Sequence, residues 1–320
     1  VIIYIYIYIV IIKIKIIQSI YFTFFFLKNM DKREIADEIK KVTKDKILVE
    51  WNKLKNITIE ELDNINGRSR LGCDLLDYFF FINRLETIGN KGINFFDFLN
   101  DIEKYKEKKY IQTLLIYCIK NNRYNNSVIK RYYYCYGLCF GRINGFKITN
   151  AMNIYHRFNP HTILDPFCGF GGRLVAALLL NINYIGIDIN TELEDGYNNL
   201  LSDFSDKHNS DVKLIFKDSN LVDYSEYNYD MVFTSPPYEN IEVYQKNKVL
   251  SLEEWNLFYN SVFRKIWDNL SSPGTYMINI NANIYNKILV KMFGECHEKI
   301  LLKKSNRNNY HEYIYMWKKV

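Results

Sequence analysis

The chain has 320 residues, a formal net charge of +6 and 48% hydrophobic residues, with six cysteines and five histidines. That length suits one catalytic domain with an ample core plus a smaller helical one. The cysteines (73, 118, 135, 139, 168 and 296) form no CxxC pair and share no zinc-site spacing with the histidines. This argues against a metal site or a disulfide scaffold and predicts reduced thiols in an intracellular compartment, cytoplasm or nucleus.

The first 29 residues open with the alternating run Val1-Ile-Ile-Tyr-Ile-Tyr-Ile-Tyr-Ile-Val10, and Met30 follows as a plausible start. They read as upstream-translated or non-native sequence. The rival reading is a membrane anchor, but Lys13 and Lys15 sit near its middle, where each costs about 3 kcal/mol on an insertion scale. No stable membrane association is expected.

Residues 30–149 are expected to form a mostly helical N-terminal region. Residues 31–150 hold 22 Lys and Arg against 16 acids (22 − 16 = +6), whereas residues 151–320 hold 17 against 20 (17 − 20 = −3). Between Lys108 and Leu164 there is no acid, while Lys108, Lys109, Lys120, Arg123, Lys130, Arg131, Arg142, Lys147 and Arg157 have Tyr132, Tyr133, Tyr134, Tyr136 and Phe140 interleaved among them. Cations for phosphates and aromatic faces for unstacked bases make this a candidate nucleic-acid and target-recognition part. A solvated basic helix face with core tyrosines is the plainer alternative.

From residue 150 on, the pattern becomes that of alternating strands and helices. Thr162-Ile-Leu-Asp165 is a short β-type run that feeds glycines 169, 171 and 172 and then the helical Arg173–Leu180. Tyr184-Ile-Gly-Ile-Asp188 and Val212–Asp218 are further strands, each ending in an acid. Tyr229–Ser235 is a buried strand stopped by Pro236 and Pro237; a helix over 252–269 and strands at 275–280, 299–303 and 312–317 complete the pattern. Seven strands with helices between them predict an α/β Rossmann-like fold, a mixed sheet with an antiparallel last strand.

Glycines after the first strand let the backbone approach a ligand, although such turns also serve packing alone. Their spacing is not GxGxxG, and the adjacent Asp165 is unfavourable for a phosphate and suited to an ammonium. Asp188 stands about twenty residues on, where such folds place an acid on ribose hydroxyls. In the second motif, Ser235-Pro236-Pro237-Tyr238, the prolines donate no hydrogen bond, so the Ser235 hydroxyl and a neighbouring carbonyl can accept from an exocyclic amine while Tyr238 stacks on its ring.

Asp165-Pro166-Phe167-Cys168-Gly169-Phe170-Gly171-Gly172 resembles the first motif of S-adenosylmethionine-dependent methyltransferases. The resemblance implies Asp165, Pro166, Phe167, Gly169, Gly171 and Gly172 near the methionine part of that cofactor, Asp188 on its ribose and Asp218 near its adenine. Together with Ser235-Pro236-Pro237-Tyr238 as catalytic loop, the stretch from Asn150 resembles DNA amino-methyltransferases of large viruses and phages, more faintly so at Ser69-Arg70 and 92–97. It implies a DNA partner and base flipping, with N4 of cytosine favoured over N6 of adenine, and it leaves room for a restriction endonuclease partner that the sequence does not show. The alternatives are an RNA methyltransferase of the guanine-N2 type and an inactive methyltransferase fold kept for nucleic-acid binding. Only 70 residues (235 − 165) separate Asp165 from Ser235, too few for an inserted recognition domain, so target reading is expected upstream.

Overall fold

The computed structural model describes residues 30–237, 251–302 and 312–320. The opening apolar run, Tyr238 and Lys303 of the expected sixth strand lie outside the described residues. Helices α1 (Lys32–Ile39), α2 (Lys44–Lys55), α3 (Ile59–Asn64) and α4 (Cys73–Glu86) come first, followed by α5 (Phe95–Asn100), α6 (Ile102–Lys106), α7 (Lys109–Lys120) and α8 (Val128–Cys139). After α9 (Ile148–Phe158) the alternation begins: β1 (Thr162–Asp165), α10 (Gly172–Leu179), β2 (Asn183–Asp188), α11 (Glu194–Asp203), β3 (Val212–Phe216), β4 (Met231–Thr234) and α12 (Leu252–Asn269). Strand β5 (Gly274–Ile280), a helical stretch over 282–293, β6 (Glu298–Leu301) and β7 (Tyr313–Lys319) complete it.

Local chemistry starts several of these helices. Asp31 with Glu34, Thr58 with Glu61 and Ser251 with Glu254 form capping boxes at α1, α3 and α12, each satisfying two otherwise orphan backbone N–H groups. Two consecutive prolines end β4 by removing the ladder donors.

The chain divides into two compact units. The smaller one comprises, among the described residues, 30–41 and 95–139. In it α1 and α5 pack on α8, and Phe95 and Phe98 meet Tyr136 edge-on and tilted. The larger unit comprises 42–94 and 140–320. Residues 30–149 were expected as one region; 42–94 and 140–149 go with the sheet-bearing unit. The reason is apolar burial: Ile47, Trp51 and Leu54 of α2, Leu62 of α3 and Leu75, Leu76 and Phe80 of α4 share one core with Leu174, Val175 and Leu178 of α10.

The seven strands lie in the order β3-β2-β1-β4-β5-β7-β6. The first five pair in parallel; β7 is antiparallel to both β5 and β6. The seven-stranded Rossmann-like fold with its late antiparallel strand is thus as the sequence implied. Successive side chains of a strand point to opposite faces, and both faces are buried, so the strands read as continuous apolar runs rather than alternating ones. Ile163, Met231, Phe233, Met277, Ile314 and Met316 enter the core under α9 and α10. Leu164, Val232, Tyr276, Ile278, Tyr315 and Trp317 enter a second core with Tyr259, Val262 and Ile266 of α12.

Trp51 is a sharp probe of the first core. It is buried and stacks on Phe204, just past α11, at 4.2 Å. Trp51→Ala should destabilise the larger unit by about 3–5 kcal/mol. Denaturant unfolding followed on the sheet-bearing half checks this, and an unchanged midpoint would detach 42–94 from that half.

Candidate active site

The sheet order reverses between β1 and β4. That switch point is where open α/β sheets form a crevice at the carboxyl ends of the strands. Ile163 and Leu164 pair with Met231 and Val232, so the loops after β1 and after β4 leave the same edge side by side. The two sequence motifs, far apart in the chain, are thereby neighbours.

In the loop after β1, Pro166, Cys168 and Phe170 are buried while Phe167 and Gly169 are partly exposed. The Cys168 N–H donates to the Ile187 carbonyl and the Gly169 N–H to Asp188 Oδ2 at 2.7 Å, while the Tyr197 hydroxyl donates to the Gly169 carbonyl at 2.8 Å. The three glycines have different reasons. Gly171 has φ +74° and a Cβ there would stand 3.0 Å from the Phe80 ring; one on Gly172 would stand 1.9 Å from the Phe146 carbonyl oxygen. Those two serve packing. Gly169 has φ +57° and nothing nearer than the Phe167 carbonyl at 4.0 Å, so it alone presents open backbone to a ligand.

Asp165, expected to face the loop, points inward. It is fully buried, and its carboxylate accepts from Arg173 Nε at 2.6 Å, Tyr184 Oη at 2.5 Å and Thr234 Oγ1 at 2.8 Å. Arg173 also donates to the Phe167 carbonyl at 2.6 Å and lies over the Phe146 ring. Burial alone would lower the Arg173 pKa, but the Asp165 charge outweighs it and holds the guanidinium above its ordinary value. Burial followed by the Asp165 charge pushes the Tyr184 hydroxyl far up, so it stays a donor. A carboxylate satisfied in this way organises β1, β2, β4 and α10.

Asp188 ends β2. Its Oδ2 takes the Gly169 N–H and its Oδ1 the Asn190 N–H at 2.9 Å. Burial raises its pKa to about 6, against the lowering effect of those two N–H groups. Each carboxylate oxygen keeps a second acceptor direction for a ligand hydroxyl. Asp218 follows β3, partly buried, with Oδ1 accepting from the Asn220 N–H at 2.9 Å. Along the carboxyl ends of β1, β2 and β3 the open glycine edge is followed by Asp188 and then Asp218, an order that fits a ligand with an amino-acid end, a ribose and an adenine.

After β4, Ser235 is partly exposed, Pro236 buried and Pro237 partly exposed. Ser235 Oγ donates to Asn279 Oδ1 at 3.3 Å, and the Tyr259 hydroxyl donates to the Pro237 carbonyl at 2.6 Å. Arg173, Asn279 and Tyr259 were not foreseen as site residues. Only a Asn inside an otherwise apolar β5 run could have flagged one of them.

The basic and aromatic stretch is divided between buried and exposed side chains. Tyr132 and Tyr136 are buried; Lys147 donates to the Gly67 and Ser69 carbonyls, and Arg157 pairs with Glu298. In the smaller unit, Lys109, Lys120 and Arg123 are exposed, with Tyr110, Tyr117 and Tyr124 more than 40% exposed, and Arg123 lies over the Tyr117 and Tyr134 rings. All six cysteines are free thiols. Among the described residues no group of three or more His, Cys, Asp or Glu could hold a metal ion, and no helix is long and apolar enough to cross a membrane.

Removing one partner of the buried pair strands the other. Arg173→Ala is expected to lose about 3–5 kcal/mol, whereas Thr234→Val, which takes away a single neutral donor, loses about 1–3. Thermal and denaturant unfolding check both, and equal losses would contradict the ion-pair role.

Residues 160–318, about half of the chain, match the family model described as RNA cap guanine-N2 methyltransferase. No curated protein matches the chain in sequence. Among solved structures, TrmN from Thermus thermophilus is similar at 14% identity and a TM-score of 0.40 over 54% of this chain and 49% of its own; this chain therefore spans about half of that protein. An rRNA methylase from Streptococcus thermophilus is similar at 15% identity and 0.38, over 53% and 96%. SMU.1697c from Streptococcus mutans, solved in complex with SAH, gives 14% and 0.37, over 50% and 89%. At such low scores the fold rests on the strand order itself, not on these likenesses. Sheet order, switch-point loops and the family match together make the C-terminal half of this chain a methyltransferase domain of the Rossmann-like class.

Proposed function

We propose that this domain transfers the methyl group of S-adenosylmethionine to an exocyclic amino group of a nucleobase in RNA, with N2 of guanine the favoured position. The observation that carries this is the adjacency of the open Gly169 edge and the Ser235-Pro236-Pro237 turn at one sheet edge. The match of residues 160–318 to a guanine-N2 methyltransferase family supports RNA over the DNA target that the motif resemblance implied.

In this reading Asp188 takes the ribose hydroxyls, Asp218 lies near the adenine, and Phe167 and the Gly169 backbone line the methionine end. The Asp165 carboxylate instead fixes the loop from beneath. When bound by these residues, S-adenosylmethionine would supply an electrophilic methyl carbon for the base nitrogen. The chain's own task is positioning. Ser235 Oγ and the Pro236 carbonyl accept the two amine hydrogens and favour a more tetrahedral nitrogen whose lone pair is less delocalised into the ring. Tyr238, outside the described residues, offers a face for the base. Exposed Lys109, Lys120, Arg123, Tyr110 and Tyr117 of the smaller unit suit phosphates and unstacked bases.

A second reading keeps DNA as the partner, with flipped cytosine N4 or adenine N6 as acceptor, and Ser235 favours it because Ser-Pro-Pro-Tyr is the form that resembles the cytosine-N4 enzymes. To separate the two, the protein is incubated with labelled S-adenosylmethionine and, in parallel, capped RNA, bulk tRNA and duplex DNA, and the products are digested to nucleosides. N2-methylguanosine is expected; N4-methylcytosine or N6-methyladenine would install the second reading. Cofactor binding without transfer to any acceptor would favour an inactive binding module.

Two variants separate the roles. Ser235→Ala should lower kcat by about 10- to 100-fold with little change in cofactor affinity, and Asp188→Ala should do the reverse. Asp188 also sets a pH dependence. Its raised pKa means that the folded chain holds this proton more tightly than the unfolded one, so its ionisation works against stability as pH rises through about 6. Cofactor binding runs the other way, because ribose hydroxyls need the ionised acceptor. Affinity should therefore fall as pH drops from 7 to 5, and Asp188→Asn should flatten the profile in a calorimetric titration.

A further inference from the structure

In the smaller unit the end of α7 turns one cation back over the helix. Asn122 takes φ +50°; its N–H donates to the Ile119 carbonyl at 3.2 Å and the Arg123 N–H to the Cys118 carbonyl at 2.8 Å, the two bonds of a left-handed helix stop. The Arg123 guanidinium thereby lies 5.6 Å from the centre of the Tyr117 ring and 5.3 Å from that of Tyr134 on α8, and it donates to the Tyr134 hydroxyl at 3.0 Å. Tyr124 tilts against Tyr134 at 5.8 Å. Arg123 is exposed, and Tyr117 and Tyr124 are 42% and 43% exposed. With no acid between Lys108 and Leu164, the helix pair offers its cations no carboxylate of its own.

Tyr124 stands where a side chain is disfavoured. Its φ is +55°, in the left-handed region that glycine and asparagine enter readily and a bulky residue does not. The Ser127 N–H, donating to the Tyr124 carbonyl at 3.1 Å, closes the turn around it. A ring held against that backbone preference, and left almost half open to solvent, adds little to burial. Strain of this kind gathers at ligand clamps.

We infer that Tyr117, Arg123 and Tyr124 form a stacking site for unpaired bases of single-stranded RNA. That this RNA is the methyl acceptor rests on the proposed transfer. Duplex bases are covered by their own neighbours and offer phosphates, which exposed Lys109 and Lys120 suit without any ring; open aromatic faces and a guanidinium plane gain contacts only with bases released from pairing. Ile116 and Ile119 are exposed nearby, but the unbalanced charge suits a strand that brings a phosphate with every base rather than an apolar protein surface.

The test is fluorescence anisotropy on the full chain with a labelled single-stranded RNA, the same RNA as a duplex, and single-stranded DNA of that sequence, over a range of salt. Wild type should bind the single-stranded RNA about 10-fold or more tighter than the duplex. Tyr124→Gly removes ring and strain together, so it should weaken single-stranded RNA binding by about 5- to 50-fold, change duplex binding less than about twofold, and leave the unfolding midpoint unchanged or raised. Arg123→Gln should weaken binding and reduce the slope of log affinity against log salt by about 0.7.

Equal affinity of wild type for single strand and duplex, or undiminished binding by Tyr124→Gly, would overturn the inference while RNA methylation, measured separately, leaves the proposed transfer standing. A lowered midpoint for Tyr124→Gly would make the ring a packing residue and overturn it as well. Tighter binding of the DNA strand would overturn RNA as the ligand, and no binding of any of the three would overturn the site in favour of a protein partner. Ring-dependent binding of single-stranded RNA by a chain that methylates no acceptor would uphold the stacking site and remove the proposed function.

Discussion

The buried pairing of Asp165 with Arg173 is the constraint on which the catalytic edge depends. A carboxylate with no exposure is tolerable only when its acceptors are matched, and here the donors to Asp165 of β1 come from three other elements: Arg173 from α10, Tyr184 from β2 and Thr234 from β4. Satisfying one charge therefore fixes how the first helix leaves the sheet and how β4 lies against β1. Thr234 is the last residue of β4, so the acceptor turn begins at the atom next to this network. The glycine loop and the Ser-Pro-Pro turn are thus two surfaces of one polar knot.

Much of this architecture was legible in the sequence because it is written in periodicity. Strands buried on both faces give continuous apolar runs, and the runs at 162–165, 184–188, 229–235 and 275–280 fall on β1, β2, β4 and β5. The helix at 252–269 was legible from Trp255, Phe258, Val262 and Ile266 at helical spacing. Proline and glycine marked the loop positions for the same local reason: each changes what the backbone can do at one residue.

What the sequence hid is tertiary. Asp165 next to glycines looks like an acid offered to a ligand, and nothing local shows that Arg173, eight residues on, returns beneath it. Gly172 looks like part of a cofactor cradle, while the atom that forbids a side chain there is the Phe146 carbonyl from the segment entering α9. Residues 42–94 lie inside a span that is basic as a whole, and only the shared burial of Trp51, Leu75 and Phe80 with α10 assigns them to the sheet. Asn279 and Tyr259 stand 44 and 24 residues beyond Ser235 and Ser235 has no sequence signal pointing to either; strand adjacency and one helix face bring them in.

The strand order carries a consequence for how the chain reaches its native state. In sequence the last strands run β5, β6, β7, but in space β7 lies between the other two. β6 has no partner until β7 has been inserted, so assembly cannot proceed by adding each new strand to the growing edge. Until then β5 presents Tyr276, Met277 and Ile278 along an unpaired apolar edge, the kind of edge that recruits another chain. The folding step that closes the sheet is therefore also the step that protects the molecule from aggregation, and it depends on a contact of long sequence separation, which is slow to form.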